Sequence, residues 1–120
     1  MRPWLALPIC LLAVGCVHTN VQRLDQAARP AQPPDAVAVL RERPQQPHTV
    51  IATVTAKGAS VFDSYADLRT AMIAEAATLG GDALLLGPET TATEFIFTGT
   101  AMIKSDRKRL TGDVIVFNSQ

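Results

Sequence analysis

Side chains that carry out chemistry are scarce in this chain of 120 residues, which contains two cysteines and two histidines. His18 and His48 lie thirty residues apart, and no HExxH, CxxC or paired-histidine spacing occurs, so a closed zinc site is not expected. The sequence also lacks a GxSxG elbow, a Walker loop and a dinucleotide fingerprint. It therefore predicts a protein that is not an enzyme and that holds no metal or other cofactor.

An excess of charge of one sign is also lacking, because eleven basic residues balance eleven acidic ones. A domain that binds nucleic acid usually presents a basic excess to the phosphate backbone, so no nucleic-acid partner is expected. The length of the chain is sufficient for one domain and not for two.

The first fifteen residues, MRPWLALPICLLAVG, have the pattern of a secretory signal. Arg2 and the amino terminus form a short positive region, the apolar run Trp4 to Val14 follows, and the small Gly15 ends it. A membrane-spanning helix needs about 20 apolar residues, so this run is too short to remain in a bilayer. We predict that residues 1–15 are a signal peptide and that the rest of the chain is exported.

The residues LLAVGC, at positions 11–16, resemble the lipobox of bacterial lipoproteins, although Ala13 stands where that family prefers Leu. The resemblance implies cleavage before Cys16 and acylation of Cys16, which would make the membrane a partner of the protein. Each buried methylene contributes about 0.8 kcal/mol, so several acyl chains form a permanent anchor. In lipoproteins of this kind, the residue after the cysteine directs sorting between the two membranes. Because that residue is Val17 and not an Asp, the resemblance further implies the outer membrane, with the domain facing the periplasm.

The segment that follows the cysteine is polar and rich in proline, with Pro30, Pro33 and Pro34. Such a composition favours an extended course. We therefore predict that residues 16–35 are a lipidated cysteine and a tether, and that residues 36–120 form the folded domain. Because Cys10 leaves with the signal and Cys16 is acylated, the domain would have to be stable without a disulfide.

Within residues 36–120, the apolar pattern predicts an α+β fold of one helix packed on a small, largely antiparallel sheet. Alternation in residues 48–56 predicts a half-buried strand. A capping box of Ser64 and Asp67 precedes an apolar stripe of helical spacing that ends near Gly80. The remaining strands are predicted in residues 36–40, 82–86, 94–104 and 109–117, which gives the order β-β-α-β-β-β.

The segments VAVLRERPQQPHTVIATVTA, LRTAMIAEAATLGGDALLL and TGTAMI resemble a group of small α+β domains that includes the Rcs stress-sensor lipoprotein and the YbjQ-like domains. The shared pattern is carried here by Leu79, Gly80, Asp82 and Ala83 after the helix, and by the GTA sequence of residues 99–101. The resemblance implies a fold and no particular activity. The disulfide cysteines of the sensor are absent from this chain, which argues against signalling of that kind.

The sequence KSDRKR, at residues 104–109, is predicted to be a hairpin turn between the last two strands. It gathers four positive charges, on Lys104, Arg107, Lys108 and Arg109, against a single acid, Asp106. Such a turn could contact anionic lipid headgroups, lipopolysaccharide or an acidic protein, at about 1 kcal/mol for each charge near an anionic surface. Alternatively, it is a solvated turn whose charges protect strand edges from aggregation.

Two classes of function remain open on these observations. The first is a non-enzymatic envelope lipoprotein whose domain docks on an envelope protein or a membrane surface. The second is a periplasmic module that binds a small ligand or a metal. An exposed apolar or basic patch would favour the first class, and a pocket with convergent polar groups would favour the second.

Overall fold

The computed structural model of the chain describes residues 17–59 and 63–118, so the predicted signal peptide and Cys16 lie outside the described residues. Within these ranges, the chain forms one α-helix and six strands that share a single sheet. The predicted α+β class, with one helix on a largely antiparallel sheet, is confirmed. The elements are β1 (Val17–Arg23), β2 (Ala38–Leu40), β3 (His48–Gly58), α1 (Tyr65–Thr78), β4 (Ala83–Leu86), β5 (Thr90–Phe97) and β6 (Met102–Phe117).

The first correction to the predicted order β-β-α-β-β-β is an additional strand, β1, inside the predicted tether. It pairs antiparallel with β3, from Val17 opposite Gly58 to Arg23 opposite Ala52. Its outward side chains are exposed and polar, and Val17 and Val21 pack on the core from its inner face. This pairing shows that the predicted tether of residues 16–35 and the predicted domain start at residue 36 are wrong. The sequence did not predict β1, because two valines give too weak an alternation to identify a strand. Within the described residues, the sheet includes the chain from Val17.

The Pro-rich remainder of the predicted tether lies against the C-terminal end of α1. The backbone N–H of Gln32 donates to the Ala77 carbonyl at 2.8 Å. The side-chain amide of Gln32 donates to the Gly80 and Gly81 carbonyls at 3.1 and 2.9 Å. These bonds hold the Pro-rich segment against the end of the helix, and the side-chain bonds satisfy carbonyls of the two glycines that follow the helix. Gly80, at a φ of 77°, allows this close approach, because a Cβ there would lie 2.7 Å from the Pro30 carbonyl oxygen.

The second correction concerns the last two strands, because the chain does not turn at residues 105–108. Strand β6 continues without a break from Met102 to Phe117, and the chain reverses earlier, at residues 98–101. There the Thr98 N–H donates to the Ala101 carbonyl at 2.9 Å, and Gly99 has a φ of 96°, a conformation that glycine adopts without strain. The KSDRKR sequence is therefore part of a strand.

The order of strands in the sheet is β1-β3-β6-β4-β2, and β5 also pairs with β6. Strands β4 and β5 occupy successive parts of one edge of β6, opposite residues 112–115 and 102–109. Strand β3 occupies the other edge, but only opposite residues 109–117. Strand β2 is the exception to the antiparallel pattern, because it pairs parallel with β4.

Helix α1 packs on one face of this sheet, which we call the helix-side face. The predicted capping box is confirmed: Ser64 Oγ accepts from the Asp67 N–H at 3.1 Å, and the Asp67 carboxylate accepts from the Ser64 N–H at 3.0 Å. Leu68 and Met72 on the helix are completely buried against the sheet. A Cβ at Gly112 would lie 3.1 Å from Met72 Cε, so glycine lets the helix approach β6 closely.

We expect Leu68→Ala to lower the free energy of unfolding by about 2–5 kcal/mol, because it removes fully buried methyl groups and leaves a cavity. Thr70→Ala is the matched control on the same helix, since the exposed Thr70 hydroxyl bonds only to the Ala66 carbonyl of its own helix. Urea denaturation of both variants checks the expectation. Equal midpoints for Leu68→Ala and the unsubstituted protein would contradict this core packing.

Candidate functional site

A two-stranded ribbon extends beyond one end of the sheet, and we define it as β5, residues 98–101 and the first part of β6, residues 102–109. Pairing between β3 and β6 stops at Lys57 opposite Arg109, whereas β5 remains paired with β6 as far as Phe97 opposite Met102. At a rise of about 3.3 Å per residue, the seven steps from Arg109 to Met102 extend about 23 Å. An isolated two-stranded hairpin is marginally stable at best in water, so the ribbon requires another contact or a rigid base.

The end of the ribbon carries five large apolar side chains exposed to solvent, which we call the apolar tip: Phe95, Ile96, Phe97, Met102 and Ile103. Phe97 and Met102 face each other across the two strands with 68% and 61% of their surface exposed. Ile96 and Ile103 form the next pair, on the opposite face of the ribbon. The connection between the strands, TGTA at residues 98–101, contains no charge. Contiguous apolar exposure of this kind makes the apolar tip a candidate interaction surface.

The four predicted basic residues lie on the ribbon behind the apolar tip and alternate between its two faces. Lys104 and Lys108 lie on the helix-side face, where Lys108 Nζ is 5.8 Å from the centre of the Tyr65 ring. Arg107 and Arg109 lie on the other face, and the Arg107 guanidinium donates to the Ala59 carbonyl. The structure therefore brings these residues together on one ribbon, and it does not gather them in a single cluster.

The acidic residues of the ribbon both have partners. Lys57, on the neighbouring strand β3, forms an ion pair with Glu94, and this hydrogen bond together with the Lys57 charge lowers the pKa of the Glu94 carboxyl below its usual value. Asp106 accepts a hydrogen bond of 2.8 Å from the Thr93 hydroxyl. With four basic residues against two acids, and Lys57 beside one of the acids, the ribbon is a basic surface.

The start of β1 lies at the base of the ribbon. Val17 is opposite Gly58 in β3, and the adjacent Lys57 is opposite Arg109, the residue at which the ribbon leaves the sheet. The first described residue of the chain and the basic part of the ribbon are therefore at the same end of the sheet. This juxtaposition depends on the register of three strands, so the sequence alone did not predict it.

The apolar tip was also missed in the sequence. The predicted strand over residues 94–104 contains both EFIF and MI, whereas these residues belong to two strands that face each other across residues 98–101. A usable signal was present, because apolar residues stand at consecutive positions on both sides of a Thr-Gly-Thr sequence. Consecutive apolar residues indicate that both faces of a strand are apolar, and the glycine marks the turn.

A second feature is a shallow depression of about 440 Å³ near the ends of β2 and β4. Its rim carries Arg41 and Arg43, and Leu85, Thr111 and Asp113 are among the residues that line it. Depressions of this volume are common among small-molecule sites. Two exposed guanidinium groups beside a partly apolar floor would suit an anionic ligand.

Metal ligands do not converge in the part of the chain that the structure describes, where no three His, Cys, Asp or Glu side chains are placed to hold an ion. His18 lies exposed on β1, opposite Lys57, and His48 Nδ1 lies 2.8 Å from the Gln46 carbonyl oxygen. No helix in residues 17–59 and 63–118 has the length and apolar character to span a bilayer.

Comparison with protein-family models and with curated proteins found no match. Among solved structures, the fold is similar to the crystal structure of FvfA, a virulence factor from Francisella, with a TM-score of 0.57. The match covers 82% of this chain and 96% of that chain at 15% sequence identity. An identity this low shows a shared fold and nothing about function. The predicted relation to the Rcs and YbjQ-like group stays a prediction.

We expect Lys57→Met to raise the pKa of Glu94, because the hydrogen bond from Lys57 is the main cause of its depression. Titration of the carboxylates followed by nuclear magnetic resonance measures this change. Asp25 is the internal control, because its lowered pKa results from the Ala27 N–H and Arg29 and should not move.

A folded-state pKa below the unfolded value means that the ionised Glu94 stabilises the fold at pH values above the unfolded pKa. This contribution is lost as the pH falls through the folded pKa. Glu94→Gln should therefore be less stable than the unsubstituted protein at neutral pH, and the difference should shrink on acidification. A pKa of Glu94 that is the same with and without Lys57 would contradict the ion pair.

Proposed function

We propose that this chain is a non-enzymatic lipoprotein of the bacterial envelope. In this proposal, the acylated Cys16 anchors the protein in the outer membrane on the periplasmic side, and the ribbon is the element that docks on a partner at the membrane surface. The observation that supports the proposal best is that the start of β1 and the ribbon lie at the same end of the sheet.

The absence of a tether between Cys16 and β1 determines how the domain would be held. Cys16 directly precedes Val17, and consecutive Cα atoms are about 3.8 Å apart. Because Val17 is paired with Gly58, acyl chains on Cys16 would hold this end of the sheet at the lipid surface. A tether of nineteen residues would have let the domain move several tens of ångströms away, whereas a direct connection keeps the ribbon at the surface.

The character of the ribbon supports docking over catalysis. Its exposed side chains include five large apolar ones, basic ones and several threonines, and it forms a projection, whereas catalytic groups usually line a cleft. The capping box accounts for Ser64 and Asp67, and hydrogen bonds within the ribbon account for Thr93 and Asp106. These polar groups therefore have structural roles in the fold.

The second candidate is a binding module for a small anionic ligand, and the depression with Arg41 and Arg43 favours it. A ligand that binds only the folded state raises the melting temperature in a saturable way. If docking is the function, phosphate and dicarboxylates should shift the melting temperatures of two proteins equally. These are the unsubstituted protein and the double variant Arg41→Ser, Arg43→Ser. Arg23→Ser, away from the depression, is the control for the loss of an exposed arginine. A saturable shift that only the double variant loses would favour the ligand-binding function.

The anchor is tested by Cys16→Ser in growing cells supplied with labelled palmitate. Because the acylated thiol is removed, we expect the variant to incorporate no label and to leave the membrane fraction. Cys10→Ser is the matched control, since it removes the other cysteine of the chain, which lies within the predicted signal. This variant should retain both label and membrane association. A Cys16→Ser protein that is still labelled would show that the lipobox prediction is wrong.

A further inference from the structure

The apolar tip has large side chains on both faces of the ribbon. Ile96 and Ile103 occupy one face, and Phe97 and Met102 occupy the other. A strand that packs on the flat surface of a protein needs only one apolar face. Apolar side chains that point in both directions are buried completely only when the surroundings enclose the ribbon, as the acyl chains and headgroups of a lipid layer do.

The charges of the ribbon change along its length in the order that a membrane interface would require. The uncharged connection 98–101 comes first, followed by the apolar pairs, and then by Lys104 beside Phe95. Glu94, which is paired with Lys57, and Asp106 come next, and then Arg107, Lys108 and Arg109 closer to the sheet. Basic side chains directly behind an apolar segment contact anionic headgroups when that segment enters a lipid layer.

The described chain also begins at the end of the sheet from which the ribbon projects, because Val17 is opposite Gly58. We propose that the apolar tip inserts into an anionic lipid bilayer and forms a second membrane contact beside the anchor. That this bilayer is the one that holds Cys16 rests on the proposed function, whereas the lipid affinity of the tip does not.

The depth of insertion is limited by the backbone of the ribbon. In the part of the chain that the structure describes, the outer edge of β5 and the β3-side edge of β6 before Arg109 pair with no other strand. Unpaired backbone groups are costly in the hydrocarbon core, so the tip should stop at the boundary of headgroups and acyl chains, about 5–10 Å deep. Because the tip lies about 20 Å along the strands from the level of Val17, two contacts at similar depth require the strands to be inclined to the membrane.

A single indole placed at the tip measures its environment directly. Trp4, the one tryptophan of the chain, is replaced by Phe, and Phe97→Trp is introduced. The protein purified from membranes is reconstituted into vesicles of phosphatidylglycerol and phosphatidylcholine, with or without bromine on the acyl chains. We expect bromine to quench the indole at position 97 and acrylamide in the water to quench it poorly.

Val39→Trp is the matched control, because Val39 is also apolar and exposed but lies far from the tip. The register of β2, β4 and β6 places Val39 beside Val114, which is about 40 Å along β6 from Met102. The indole of this control should be quenched by acrylamide and not by bromine. If the indole at position 97 behaves like the one at position 39 on the vesicles, the tip is in water and the proposal is overturned. A protein partner would then be the better explanation of the apolar tip.

A second measurement uses the chain from Val17 to Gln120, which contains the whole core cluster and lacks Cys16. This fragment should cosediment with anionic vesicles at 0.1 M salt and lose most of that binding at 1 M, since the Debye length falls from about 10 Å to about 3 Å. The double variant Phe97→Ser, Met102→Ser should lose binding while it keeps its circular dichroism and melting temperature. Val39→Ser should keep binding.

The two measurements separate the inference from the proposed function. Unchanged vesicle binding by the double variant, or equal binding to neutral vesicles, would overturn the insertion of the tip into anionic lipid, even if Cys16 is acylated. An unacylated Cys16 together with tip-dependent binding of the fragment would overturn the lipoprotein proposal and support the inference. Sedimentation as a dimer without lipid, abolished by the same double variant, would show that a second copy covers the tip and would also overturn the inference.

Discussion

The pairing of β6 along its sixteen residues determines both the core of the domain and its candidate functional surface. Its second half lies between β3 and the strand β4, and there Leu110 and Val114 are buried beneath α1. Its first half keeps a partner on one edge only, β5, so the two strands leave the sheet as a ribbon. Because one uninterrupted strand runs through both parts, the packed sheet is a rigid base for the apolar tip.

Features set by local sequence were predictable, and features set by distant pairing were not. The helix was predicted because Ser64, Asp67 and the apolar stripe lie within one stretch and act through bonds between neighbouring turns. Strand β1 was missed because its stability comes from β3, whose paired residues lie 29 to 41 positions further along the chain, and because only Val17 and Val21 pack on the core. The four basic residues were found, but their position was misread, because a ribbon exposed on both faces can carry charges within a strand.

The correction of the tether changes the functional argument more than the fold. With a tether, charges on the domain could reach a membrane in any orientation, and their position in the fold would matter little. With β1 starting at Val17, an anchor at Cys16 would keep this end of the sheet, and with it the base of the ribbon, near the lipid. The basic residues then become significant through the register of β1, β3 and β6, and their number alone would not have indicated this.

A tip of five apolar side chains supplies limited contact area, and a covalent anchor nearby would multiply its effect. Once one contact holds the domain, the second is an intramolecular step with an effective concentration that is highest when the linker matches the span. Strands β1, β3 and β6 would be a stiff linker between Cys16 and the tip, because each is paired with the next. A tip with weak affinity for lipid would then remain in contact most of the time, and the sheet would keep one inclination to the membrane.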